Sequence, residues 1–247
     1  MASRDYSRPI SLPIHAEMPG RRKAWRAALR RGFDFACAAA GLAVLAPVLA
    51  AIAVAIELDD GGPVLYLQDR VGRGLQKFRL LKFRSMFAGV AEGSFLTAPG
   101  DARVTRVGRL LRRYKLDELP QLVNVLKGEM QLVGVRPQVQ RFVDLFPNEY
   151  AELLQTPPGI TDPASLSFRH EESLFHVECI EELYIAKILP FKLQIALNYS
   201  RTRTFLSDLE ILFRTVLGMG LSPALHGHGK FHDGAQAPSE FTDAKLS

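Results

Sequence analysis

Between Phe35 and Ile56 the chain reads FACAAAGLAVLAPVLAAIAVAI, with no charged side chain anywhere in the run. As a straight helix rising about 1.5 Å per residue, such a run just covers the hydrocarbon thickness of a bilayer. It is too long for the apolar core of a cleaved signal peptide. The segment therefore belongs in a membrane, and the rest of the chain must fold beside one. Asp34 and a basic cluster (Arg21, Arg22, Lys23, Arg26, Arg30, Arg31) precede it, and Glu57, Asp59 and Asp60 follow it. A spanning helix with these flanks keeps the N-terminus in the cytoplasm and exports everything after Asp60. Pro47, near the middle, removes a backbone hydrogen bond and kinks the helix. A kinked span and a re-entrant helix, broken at Pro47 and returning to the same face, both fit these residues. Only the chemistry encoded further along favours the re-entrant course.

With 247 residues the chain accommodates one domain plus an anchor, or two small domains. The net charge of +5 is densest just before the apolar run, where anionic membrane lipids are the expected neighbours and nucleic acid is not. Cys37 and Cys179 form no disulfide framework. Residues 1–20 are polar with three prolines and read as a flexible N-terminal arm. Residues 21–60 are the basic flank and membrane helix, residues 61–220 the folded domain, and residues 221–247 a disordered tail. His226, His228 and His232 fall among glycines in that tail, so a solvated stretch is expected there, not a metal site.

Within the domain, VLYLQ and KFRLLKF flank a Gly72-Arg73-Gly74 turn and predict a β-hairpin. The glycine-containing stretch from Phe87 to Gly100 reads as a loop. Apolar residues at helical spacing predict helices over Val107–Tyr114, Leu116–Leu126 and Phe205–Leu217. Pro120 is tolerated in the first turn of the second of these. The third carries Phe205, Leu209, Leu212, Phe213 and Val216 on a stripe that can pack on a core or lie in a membrane interface. The expected fold class is mainly α with a small β-hairpin, membrane-associated through the N-terminal helix.

The segment from Lys115 to Pro137, KLDELPQLVNVLKGEMQLVGVRP, places an acid pair, Asp117 and Glu118, in apolar and basic surroundings. Arg112 precedes the pair and Arg136 follows it. Carboxylates among arginines fit a site that handles phosphate with a metal: carboxylate oxygens hold a hard cation and guanidinium groups hold phosphoryl oxygens. An isolated acid pair on a helix is ordinarily a solvated face, and Lys82 and Arg84, alternating with Phe83 on a strand, are each compatible with an ordinary surface charge. The grouping of these residues is what favours a site.

Five pieces recur in a fixed order: GPVLYLQDRVG, KFRLLKFRSM, DARVTRVGRLLRR, LDELPQLVNVLKGEMQLVGVRP and PPGIT. In them, from about Arg31 to Gly218, the chain resembles the bacterial sugar transferases, monotopic phosphoglycosyl transferases that move a phospho-sugar from a nucleotide sugar to polyprenyl phosphate. The length fits the minimal catalytic form, without the extra transmembrane helices of larger relatives. The resemblance implies a re-entrant helix broken at Pro47, amphipathic interfacial helices, and a catalytic domain over residues 61–220 on the cytoplasmic face of a bacterial inner membrane. It implies that Asp117 attacks the β-phosphate of a UDP-sugar, releases UMP and carries the sugar phosphate as an acyl phosphate until undecaprenyl phosphate takes it. Mg²⁺ is the expected cofactor, with Asp117 and Glu118 as its ligands; Glu118 otherwise tunes the site. Lys82, Arg84, Arg112 and Arg136 match basic positions of the family motifs and are expected to bind substrate phosphate. The product would start a glycan such as exopolysaccharide or lipopolysaccharide, with the sugar left open and a homodimer on the membrane also left open.

The chain departs from the family pattern at Ala46, where a serine is frequent, at Val135, where proline is usual, and in DPASLSFRHEESL, where many members have glycine-tryptophan. No proposed charge carrier is lost. Two other classes compete: a catalytically silent scaffold of the same fold that recruits later glycosyltransferases, and a single-pass protein whose basic part binds anionic lipid or nucleic acid.

Overall fold

Alanine and leucine carry the N-terminal segment as one helix of 40 residues, α1 (Arg21–Asp60), in a computed structural model that describes residues 21–87, 100–168 and 180–218. The arm, the tail with its histidines, Cys179 and most of the Phe87–Gly100 loop lie outside the described residues. Pro47 lies inside α1, which is helical on both sides of it. The helix is long and apolar enough to cross a membrane, and its most apolar stretch is almost wholly uncovered by the rest of the chain.

The hairpin forms as expected. Strand β1 (Leu65–Val71) pairs antiparallel with β2 (Lys77–Phe83), with Leu65 opposite Phe83 and Val71 opposite Lys77. The connection needs glycine at Gly74, whose φ of 64° lies in the left-handed region. A second ribbon, unforeseen in the sequence, joins β3 (Gln131–Val133) in parallel to β4 (Gly159–Thr161). Around these lie α2 (Arg106–Arg113), α3 (Gln121–Lys127), α4 (Gln140–Leu145), α5 (Pro147–Leu153) and α6 (Pro163–Ser167). The chain ends its described course in α7 (Ile180–Leu183), a π turn (Tyr184–Ile188), α8 (Leu189–Thr202) and α9 (Phe205–Val216). Pro190, which cannot donate to the preceding turn, sits just after the wide turn.

The helix expected over Leu116–Leu126 is instead two pieces. Lys115 adopts a left-handed conformation (φ 57°) that ends α2, a tight turn spans Leu116–Glu118, and α3 begins only after Pro120. The missing N–H of Pro120 makes it a poor interior residue and a good helix start.

Helix α1 is docked near both ends. Arg31 donates to the carbonyls of Val125 and Leu126 (2.8 Å for the latter), closing the C-terminal end of α3. Ala38 is buried with Leu80, Val125 and Ile211 in one apolar cluster. At the far end Ile52 and Ile56 pack with Phe83 and Leu111 in another. Asp59 accepts from the Val107 N–H (3.1 Å) at the first turn of α2, where Thr105 also caps Gly108.

Asp60 then grips Arg84 in a two-pronged pair (one bond 2.5 Å), while Arg84 Nε donates to the Pro63 carbonyl. Both partners are largely withdrawn from water, Arg84 being 6% exposed. Breaking a buried pair by removing one member strands the other charge and costs about 3–5 kcal/mol. Asp60→Ala should therefore lower the melting temperature of the detergent-solubilised protein sharply; an unchanged transition would show that this pair does not hold α1 to β2.

Candidate active site

The tight turn after Lys115 directs Asp117 inward, where it is 6% exposed, and sets Glu118 toward the hairpin. Glu118 accepts from both terminal nitrogens of Arg136 (3.0 Å for Nη1) and from Lys82 Nζ at 3.4 Å. Lys82 comes from β2 and Arg136 from the segment following β3, so one carboxylate joins three parts of the fold.

Arg136 is itself held by backbone. Its N–H points to Asp162 Oδ2 (3.3 Å), whose other oxygen accepts from the Ser165 N–H (2.6 Å) as the cap of α6. Val135 accepts from the Gly159 N–H at 2.9 Å, and the Gly134 N–H donates to Thr161 at 2.9 Å. A Cβ on Gly159 would lie 2.1 Å from the Gly134 nitrogen, so the two strands approach this closely only without side chains. Valine in place of the usual proline at 135 leaves this pinning intact. The PPGIT and LVGVRP pieces of the sequence are thus the two halves of one clamp on Arg136.

The two acids are electrostatically distinct. Burial opposes the charge on Glu118, but Arg136 and Lys82 outweigh it and hold that carboxyl well below the usual range. Burial raises the Asp117 carboxyl, and the Glu118 charge raises it further; Lys82, Arg112 and Lys115 pull the other way without prevailing. Asp117 Oδ1 is buried and has no hydrogen-bond partner among the described residues. Such an orphaned oxygen is costly unless a ligand uses it. Burial also depresses the Lys82 ammonium, against the pull of Glu118.

Of the residues singled out in the sequence, Asp117, Glu118, Lys82 and Arg136 meet directly or through their charge, and Arg112, in the last turn of α2, acts on Asp117. Arg84 is not brought into this group: its guanidinium is committed to Asp60 and Pro63. Arg70, which sequence reasoning passed over, lies within electrostatic range of both Arg136 and Glu118. Its signal was the alternation of Tyr66, Gln68 and Arg70 on the hairpin face that also carries Lys82.

The family model described as bacterial sugar transferase matches residues 25–221. The chain is 36% identical over 187 residues to the UDP-N-acetylgalactosamine-undecaprenyl-phosphate N-acetylgalactosaminephosphotransferase of Aeromonas hydrophila, covering 72% of this chain and 44% of that one. It is 35% identical over 216 residues to the undecaprenyl-phosphate glucose phosphotransferase of Komagataeibacter xylinus, covering 84% of this chain and 38% of the other. It thus spans less than half the length of these two relatives. With the exopolysaccharide production protein ExoY of Rhizobium meliloti, 32% identity extends over 90% of this chain and 97% of that one.

Because the Glu118 charge raises the Asp117 carboxyl, Glu118→Gln should move the Asp117 titration midpoint to lower pH. The ¹³C carboxyl shift of labelled aspartate, followed against pH, reads this directly. A midpoint that stays put or rises would mean that the two groups are not coupled as described.

Proposed function

We propose, because the chain belongs to the bacterial sugar transferase family, that it transfers a sugar 1-phosphate from a UDP-sugar to undecaprenyl phosphate and releases UMP. The observation that carries this reading is the buried, unpartnered Oδ1 of Asp117 beside a Glu118 already committed to Arg136 and Lys82. One acid is free to react, while the other arranges positive charge.

In the first step a lone pair of Asp117 attacks the β-phosphorus of the donor. The bond from that phosphorus to the bridging oxygen breaks, UMP leaves with the electron pair, and the sugar phosphate becomes an aspartyl acyl phosphate. In the second, an oxygen of undecaprenyl phosphate attacks the same phosphorus and the Asp117 carboxylate departs. One diphosphate linkage replaces another, so no external energy source is required and the exchange is reversible. A carboxylate meets a phosphoryl centre only where the phosphate charge is neutralised, which is the task of Arg136, Lys82 and Arg112.

Mg²⁺ fits this site in a restricted way. No cluster of three or more His, Cys, Asp or Glu side chains able to hold a metal occurs among the described residues, and Glu118 is occupied by Arg136. Mg²⁺ commonly uses one or two carboxylates together with substrate phosphates. Asp117 would be the protein's main contribution to such an ion, which would supply further charge neutralisation beside the substrate phosphates. A silent scaffold is not favoured, since the charged groups around the acid pair are in place.

The same reading puts the chain on the cytoplasmic face of a bacterial inner membrane. Both the start of the apolar run (Arg31, Ala38) and its end (Ile52, Ile56, Asp59) dock on the folded body. A straight crossing would hold these ends about 30 Å apart on opposite sides of the hydrocarbon, so docking at both ends supports a re-entrant course through Pro47 over a span. Phe205, Leu206, Phe213, Val216 and Leu217 are exposed along α9 and its end, and the Phe205 ring meets Phe33 of α1 edge-on at 5.2 Å. That arrangement suits an interfacial helix lying beside the anchor.

The deciding assay is UMP release from a panel of UDP-sugars with undecaprenyl phosphate and Mg²⁺ in detergent. Asp117→Asn should reduce turnover by at least about a thousandfold, as for other covalent nucleophiles, and EDTA should abolish it until Mg²⁺ is restored. Near-normal activity in the variant would reject the covalent route. For topology, a fluorescent protein fused to the C-terminus should glow and an alkaline phosphatase fusion should stay inactive; the opposite pattern would establish a spanning helix.

A further inference from the structure

Two arginines of the hairpin region end up in opposite electrical situations. Arg84 is neutralised by Asp60. Arg70 is not: its Nε and Nη2 donate to the side-chain oxygen of Gln68 (3.1 and 2.6 Å), and its Nη1 donates to the backbone carbonyl of Pro137 (3.3 Å). These acceptors are neutral. They fix the guanidinium plane and leave it without a directly bonded carboxylate among the described residues, the disposition of an arginine kept for an anionic ligand.

Its position points the same way. Pro137 directly follows Arg136, so the Nη1 bond ties Arg70 to the residue that forks onto Glu118. On the hairpin, Arg70 shares a face with Lys82, which reaches the same carboxylate. Two acids, Asp117 and Glu118, are therefore met by Lys82, Arg136, Arg70, Arg112 and Lys115. Several cations thus face the acid pair from different parts of the fold, a setting that suits the charge of a phosphate. Burial first and the neighbouring Arg136 charge second bring the Arg70 guanidinium down to about 10.

We propose that Arg70 is a phosphate-binding residue of this site, holding an oxygen of the donor's diphosphate or of the acceptor lipid's phosphate. It takes the place that sequence reasoning gave to Arg84. The assignment rests on the transferase reading above and adds to it the residue that completes a cradle with Lys82 and Arg136. Gln68 acts through Arg70, as a positioning residue.

The test uses the full chain in detergent, with UDP and undecaprenyl phosphate as separate probes in calorimetric titrations of wild type, Arg70→Gln, Arg70→Met and Arg70→Lys. Melting curves are recorded alongside. The neutral variants should bind at least one probe about tenfold more weakly with melting temperatures near wild type, and Arg70→Lys should recover part of the loss, which a purely packing role would not allow. Loss confined to UDP assigns Arg70 to the donor; loss confined to the lipid assigns it to the acceptor. Wild-type affinity for both probes in the neutral variants would overturn the assignment while leaving the transferase reading intact. A wild type that binds neither probe would overturn both. Loss of the melting transition in all three variants would make Arg70 structural and end the proposal.

Discussion

Everything at the centre of this protein is arranged around a single ion pair, that of Glu118 with Arg136. Taking two opposite charges largely out of water costs desolvation that good geometry and further hydrogen bonds must offset. The compensation is spread widely. Lys82 adds a second cation from the hairpin, Asp162 receives the Arg136 N–H, and the glycine contact between β3 and β4 fixes the backbone from which Arg136 projects. The π turn before α8 brings Tyr184 to Gln138, close behind the same backbone. Removing any of these leaves a charged group with less support, so the pair organises elements that are distant in sequence.

The pair also separates the roles of two neighbouring acids. With Glu118 saturated by cations, its proton affinity falls, while its charge and the surrounding protein raise that of Asp117. Such a division, in which one environment pushes two carboxyls in opposite directions, is how a site assigns different tasks to like groups. The Asp117 oxygen Oδ1 stands beside that division, with no hydrogen-bond partner among the described residues.

Much of this was legible in the residues. The hairpin was readable because strand alternation and a glycine turn are local signals, and the acid pair with Lys82 and Arg136 because unlike charges stood out in apolar company. What escaped was decided by distant partners. Arg84 and Arg70 look alike in sequence; only the arrival of Asp60 from the end of α1 neutralises the first, and only the neutral oxygens of Gln68 and Pro137 leave the second charged. Strands β3 and β4 are three residues each, too short for any periodicity to show. The split helix around Asp117 was masked because its leucines keep helical spacing across a turn that Lys115 and Pro120 create.

Helix α1 is more than a tether. Arg31 closes the end of α3, Asp59 closes the start of α2, and Ile52 and Ile56 complete an apolar cluster under Phe83. Without α1 those helix ends and that cluster would face solvent, and Arg84 would lose the only carboxylate paired with it among the described residues. The apolar helix and the folded body are therefore built as one unit. Any shift of α1 is thereby passed to the end of α3 and the start of α2, the two helices that flank the acid pair.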